Sequence, residues 1–232
     1  MKIAVINFSG NVGKTTMARH LLAPRIDNAT VIAVETINGD DCESMRVRGA
    51  EFGYLLESIM SLDAAVVDIG ASNVDELVAR MKSYAGSHED FDMFVVPAVA
   101  ETKQQYDTIS TIEALADDVG VDPERIRVVL NMVDPREAAE RAFPMLFRFH
   151  DAHRGFVLRD DAAVYESELF GKLAHTPVAI SDLLEDTTDY KAMIGEARTP
   201  EEKIELARKV AIRRLAAGVN AQLDCAFAAL TR

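Results

Sequence analysis

Short apolar runs recur along the chain at 2–8 (KIAVINF), 29–35 (ATVIAVE), 64–70 (AAVVDIG), 92–98 (DMFVVPA), 126–133 (IRVVLNMV) and 155–158 (GFVL). Most are unbroken rather than alternating, the habit of strands buried on both faces of a sheet. The segments between them carry apolar positions three and four apart. That spacing predicts helices over about 14–23, 49–62, 73–85, 102–119, 136–150 and 181–194. Strand and helix therefore alternate, and βαβ units in series predict an α/β, doubly wound, mostly parallel sheet. No internal repeat or low-complexity linker divides the pattern, so residues 1–232 read as one domain.

The last segment, 199–231, opens on TPEEK. Thr199 suits the N-cap, Pro200 the first helical position and Glu202 the reciprocal capping contact, which predicts a long C-terminal helix. Its apolar stripe of Ile204, Ala207, Ala211, Leu215, Val219, Leu223, Ala226 and Leu230 is expected to pack on the domain. Arg208, Lys209, Arg213 and Arg214 form the densest basic cluster, and it has two readings. It is a contact surface for DNA, lipid headgroups or an acidic protein, or an ordinary solvated helix face in which Glu205 pairs with Lys209.

Composition narrows the picture. A formal charge of −13 over 232 residues opposes non-specific attraction to nucleic acid or anionic lipid outside such local clusters. Cys42 and Cys225 lack metal-ligand spacing and read as reduced thiols. No leader-like segment or membrane-length apolar run stands out, and a cytoplasmic protein is expected. Of the five histidines, only His150 and His153 could share a helix face, and they lack a third ligand; surface positions are expected for all five.

The chemistry concentrates in SGNVGKTT, Ser9 to Thr16, between the first strand and the first helix. Gly10 and Gly13 let backbone N–H groups approach an anion, Lys14 brings a charge to β/γ phosphate oxygens, and Thr15 offers a hydroxyl to magnesium. The loop resembles the deviant phosphate-loop form K-G-G-x-G-K-[ST]-[ST] of the MinD/ParA family of dimeric ATPases, with Ser9, Gly10, Asn11, Val12, Gly13, Lys14, Thr15 and Thr16 in register. The resemblance implies that these residues bind nucleotide. It extends to VVDIGAS, where Asp68 would act on magnesium with Thr15 and Gly70 would begin a switch beside the γ-phosphate. Lys14 and Asp68 are the expected catalytic pair.

In VVLNMVD, Asn131 resembles the family's base-contacting asparagine. Asn131 and Asp134 also fit the guanine-reading N-K-x-D, but Met132 stands where lysine belongs, so ATP is favoured over GTP. A turn-forming Asn131 and a capping Asp134 remain the alternative. Leu158, Asp161, Val164, Glu166 and Pro177 match the family's closing stretch, with Arg159 replacing the proline of its base-contacting loop. INFSGNVGKTT, DIGASN and SHEDFD are similar to the StbB branch, which implies a role in plasmid stability.

Two departures bear on mechanism. Ser9 replaces the lysine that reaches across the family's dimer, and VIAVETING puts Ile37 where the family's water-orienting aspartate stands, with Asp40 and Asp41 as substitutes or as solvated turn residues. The resemblance therefore implies an ATP- and magnesium-dependent switch with slow hydrolysis, a nucleotide-dependent homodimer and a plasmid-encoded partner, DNA-binding adaptors being one candidate. A small-molecule kinase, a ligase like dethiobiotin synthetase and a non-hydrolysing scaffold stay open. Against the two enzymes, no basic cluster marks a second anionic substrate, although Lys103 follows a strand.

Overall fold

A computed structural model describes residues 1–35, the backbone of 45–47, 51–174 and 176–232. Ile37, Asp40, Asp41, Cys42 and His175 lie outside the described residues.

The chain runs β1 (Lys2–Val5), α1 (Lys14–Thr16, continued by a π-helical stretch Met17–Leu22), β2 (Thr30–Val34), β3 (Met45–Val47), α2 (Phe52–Ser61), β4 (Ala65–Ile69) and α3 (Val74–Ser83). It continues through β5 (Met93–Ala98), α4 (Thr102–Glu113, continued by a π-helical stretch Ala114–Val119), β6 (Ile126–Val133), α5 (Ala139–Ala142) and α6 (Pro144–His153). The remainder is β7 (Ala163–Tyr165), α7 (Glu168–Leu173), α8 (Ile180–Glu185), α9 (Tyr190–Glu196) and α10 (Pro200–Thr231).

Seven strands form one sheet in the order β3-β2-β4-β1-β5-β6-β7, and every pairing is parallel. The unbroken apolar runs are explained by their position, since all residues of β4 and β5 are buried. One face of the sheet packs α2, α3 and α4 around Phe52, Phe91, Phe94, Leu77 and Ile112. The other packs Met17, Leu21 and Leu22 against α7 and the second half of α10 through Leu169, Val219, Leu223 and Leu230. β1 lies centrally, between β4 and β5, where the strand order reverses and α/β folds open a crevice at the carboxyl ends of their strands.

Four expectations are corrected. GFVL at 155–158 is no strand: Val157 makes one bridge to Arg127, Phe156 enters the core, and the edge strand beside β6 is Ala163–Tyr165. The helix expected over 136–150 is two, because Pro144 starts a new one after Phe143 leaves helical geometry. The one expected over 181–194 is also two, separated by residues 186–189. Thr199 and Glu202 do form the capping box of α10, yet only its second half is buried, and Ile204 is 52% exposed. The first half of α10 is exposed along Ala207 and Ala211 and packs mainly on α9. Among the described residues no helix is long and apolar enough to cross a membrane.

Candidate functional site

The phosphate-type loop leaves the carboxyl end of β1 and enters α1 at Lys14. Its shape depends on two left-handed residues, Asn11 at φ 59° and Gly13 at φ 87°. Asparagine tolerates that region better than most side chains, which accounts for Asn11 where the family pattern has glycine. Gly13 is required twice: any Cβ there would sit 2.3 Å from Nδ2 of Asn131. The loop bends so that, among the described residues, nothing accepts from the N–H groups of Gly10 to Gly13. Free N–H groups ahead of a helix start are suited to an anion.

Lys14 is buried, at 8% exposure, and its ammonium donates to the carbonyls of Asn7 (3.1 Å) and Ser9 (2.6 Å). Burial lowers its pKa, and the nearby Asp68 carboxylate opposes that shift. Thr15 Oγ1 donates to Asp68 Oδ2 at 2.7 Å, bringing the expected hydroxyl and carboxylate together across α1 and β4. Burial raises the Asp68 pKa, while the Thr15 hydrogen bond and Lys14 pull it down. These are hard oxygen donors of the kind magnesium takes together with phosphate and water oxygens. Gly70 follows at the end of β4, its N–H donating to Val34 O at 2.9 Å, and a Cβ there would stand 3.1 Å from that oxygen.

Asn131 reaches the loop from β6. The register of β6 on β7 shifts between Asn131 and Val133, Met132 takes φ 55° and turns outward, and Asn131 Nδ2 donates to Val12 O at 2.9 Å. Beside it lies an open cavity of about 580 Å³ lined by Thr16, Asn131, Met132, the 165–168 segment, Phe170 and Gly171. Ser9, Gly10, Asn11, Val12, Gly13, Lys14, Thr15, Thr16, Asp68, Gly70 and Asn131 thus occupy the carboxyl ends of β1, β4 and β6, at the crevice.

Other expected residues are elsewhere. Arg159 is hydrogen-bonded to Asp161 and lines a separate cavity beside α6. Asp134 is gripped by Arg136 through both carboxylate oxygens, which holds its pKa at about 2. It closes a turn rather than facing the cavity by Asn131. The basic cluster is split: Lys209 and Arg213 lie over the Tyr190 ring, and Arg213 also donates to the carbonyls of Asp186 and Thr188. Arg208 and Arg214 are exposed. His20, expected at the surface, is buried against Phe170, its Nδ1 has no partner among the described residues, and burial lowers its pKa to about 4.

Solved structures share the fold. MinD, a cell division protein of Aquifex aeolicus, superposes with a TM-score of 0.55 at 13% identity, over 85% of this chain and 98% of that one. The chain has the MinD/ParA-like phosphate-loop fold. Apo McdA from Cyanothece gives 0.54 at 13% identity, over 90% of this chain and 98% of that one. An ATP complex of an aspartate-to-alanine McdA variant gives 0.50 at 13% identity, over 97% and 96%. No family model matches the chain, and no curated protein matches it in sequence. In this fold the loop, Asp68 and Asn131 stand at one crevice, and the chain shares 13% identity with each of these structures.

Proposed function

We propose that the protein binds ATP with magnesium and acts as a nucleotide-dependent switch in segregation or positioning, with plasmid stability as its setting. The observation that carries this reading is Lys14: a buried ammonium that among the described residues is held only by loop carbonyls, beside four N–H groups that find no acceptor there and a Thr15–Asp68 pair. Triphosphate would supply the anionic oxygens that this cradle lacks. Lys14 then exchanges two neutral carbonyls for phosphate charge, the stronger partner. Thr15 and Asp68 would hold magnesium, and Gly70 would move with the γ-phosphate. Adenine suits the site better than guanine because Arg136 occupies the Asp134 carboxylate that guanine reading requires.

The fold, shared with MinD and with McdA solved as an ATP complex, supports a switch whose output is association. A nucleotide-dependent homodimer and a partner protein, a DNA-binding adaptor among the candidates, follow from that reading. Direct contact with DNA or a membrane would fall to Arg208 and Arg214. Hydrolysis is slow, since Ser9 carries no charge to a partner's phosphates and Ile37 cannot orient water, and both functions act mainly on the transition state. The test is to titrate ATP, ADP and GTP while following mass in solution and phosphate release. Saturable ATP binding with mass doubling and little phosphate supports the reading; brisk hydrolysis by the protein alone, or no nucleotide preference, counts against it.

A further inference from the structure

The first arm of the phosphate loop is fastened to α4 by side chains whose types no phosphate-loop pattern specifies. Asn7 is fully buried. Its amide nitrogen donates to Pro97 O at 2.8 Å and to Thr108 Oγ1 at 2.9 Å, and its oxygen accepts from Ser9 N–H at 2.7 Å. One turn along α4, Thr111 Oγ1 accepts from Phe8 N–H at 3.0 Å. Both threonines are themselves locked, Thr108 donating to Gln104 O and Thr111 to Asp107 O. The N–H groups of Phe8 and Ser9 are thereby turned into the protein, while those of Gly10 to Gly13 find no acceptor among the described residues and are open to an anion. The two carbonyls that hold Lys14 belong to Asn7 and Ser9, the residues at either end of this fastening.

We propose that Asn7, supported by Thr108 and Thr111, is the positioning residue of the phosphate loop. It fixes the frame in which Lys14 rests and from which the free amides point. The inference rests on the nucleotide reading of the site. A loop held this way needs little ordering when phosphate arrives, and preorganisation of that kind appears as affinity. Without Asn7 the Ser9 N–H loses its acceptor, Pro97 O and Thr108 Oγ1 lose that amide donor, and the loop must be ordered by the ligand itself.

Gln105 supplies the control. It is buried like Asn7 and sits on α4 with Thr108 and Thr111, but its four side-chain hydrogen bonds go to Ala100, Ala142, Met145 and Leu146, away from the loop. The experiment compares Mg-ATP affinity and amide hydrogen exchange in wild-type protein, Asn7→Ala, Thr111→Val, Thr111→Ser and Gln105→Ala. Asn7→Ala should weaken Mg-ATP by about tenfold or more, as loss of a buried hydrogen-bond set converts to affinity. Protection at Phe8 and Ser9 should fall with it. Thr111→Val should act in the same direction and Thr111→Ser should restore both, which a defect of packing alone would not do. Gln105→Ala should lose stability and keep affinity. If Asn7→Ala does not fold, the Thr111 pair decides: equal affinity in Val and Ser variants overturns the inference. Unchanged affinity in a folded Asn7→Ala, beside a wild type that binds, overturns the inference alone; absence of binding by the wild type overturns the nucleotide reading with it.

Discussion

Replacing Gly13 with alanine probes the loop and its β6 support at once. The residue sits at φ 87°, where an L side chain costs about 1 kcal/mol or more. Its new methyl would lie 2.3 Å from Asn131 Nδ2, a contact no packed structure tolerates. Asn131 must then swing away and release Val12 O, which loses a hydrogen bond of 2.9 Å and costs about 1 kcal/mol further. Gly13→Ala should therefore lose about 2–3 kcal/mol in urea unfolding with an unchanged denaturant slope, and nucleotide binding should fail. Asn131→Ala alone should lose about 1 kcal/mol. In the double variant the clash has no target, so the two losses should overlap by about 1 kcal/mol in a double-mutant cycle. A Gly13→Ala protein of wild-type stability, or strictly additive losses, would refute the geometry assigned to this loop.

His20 predicts an acid-sensitive fold. Its pKa is about 4 when folded against 6.5 as an ordinary histidine, so the unfolded chain binds the proton first. Stability is full above pH 6.5, declines as pH falls and has lost its whole contribution, about 3 kcal/mol, below pH 4. His20→Leu should flatten that part of the urea-midpoint profile, and a wild-type profile with no fall between pH 6.5 and 4.5 would contradict it. Arg213→Ala should lose about 1–2 kcal/mol and raise hydrogen exchange in α9, because the guanidinium ties α10 to the carbonyls of Asp186 and Thr188. Reversing the exposed Arg208 and Arg214 to glutamate should leave the fold intact and weaken any salt-sensitive binding to DNA or anionic vesicles. Ser9→Lys combined with Ile37→Asp should raise phosphate release without comparable tightening of ATP; unchanged turnover would show that other groups limit the reaction.

How much of this was readable in advance depends on the range of the forces involved. The loop, Asp68 and the capping box of α10 are local patterns, in which each residue's role is set by neighbours a few positions away. The strands β1, β2, β4, β5 and β6 were legible because burial on both faces leaves an unbroken apolar run. The edge strand β7 was not: Phe156 is apolar because it enters the core, while Ala163–Tyr165 pairs with β6 through backbone groups that composition does not encode. Pro144, inside the predicted 136–150 helix, is a breaker legible in the sequence, and the helix divides there. The stripe on α10 misled because helical spacing marks a face without saying whether anything covers it. Ile204, Ala207 and Ala211 lie at helical spacing and are exposed. Asn7 left one signal, an amide at the end of a buried strand, which has to be hydrogen-bonded somewhere. Its partner on α4, Thr108, is 101 positions away in the chain and only the fold reveals it.

The central claim is that the cradle around Lys14 takes a nucleoside triphosphate. Calorimetric titration of Mg-ATP into wild-type protein and into Lys14→Ala, with folding verified for both, tests it most directly. The account predicts saturable, magnesium-dependent binding to the wild type and a loss of at least about a hundredfold in the variant, since a charge-assisted phosphate contact disappears from a buried site. Equal affinity in the two proteins, or no binding to the wild type at any accessible concentration, would contradict it.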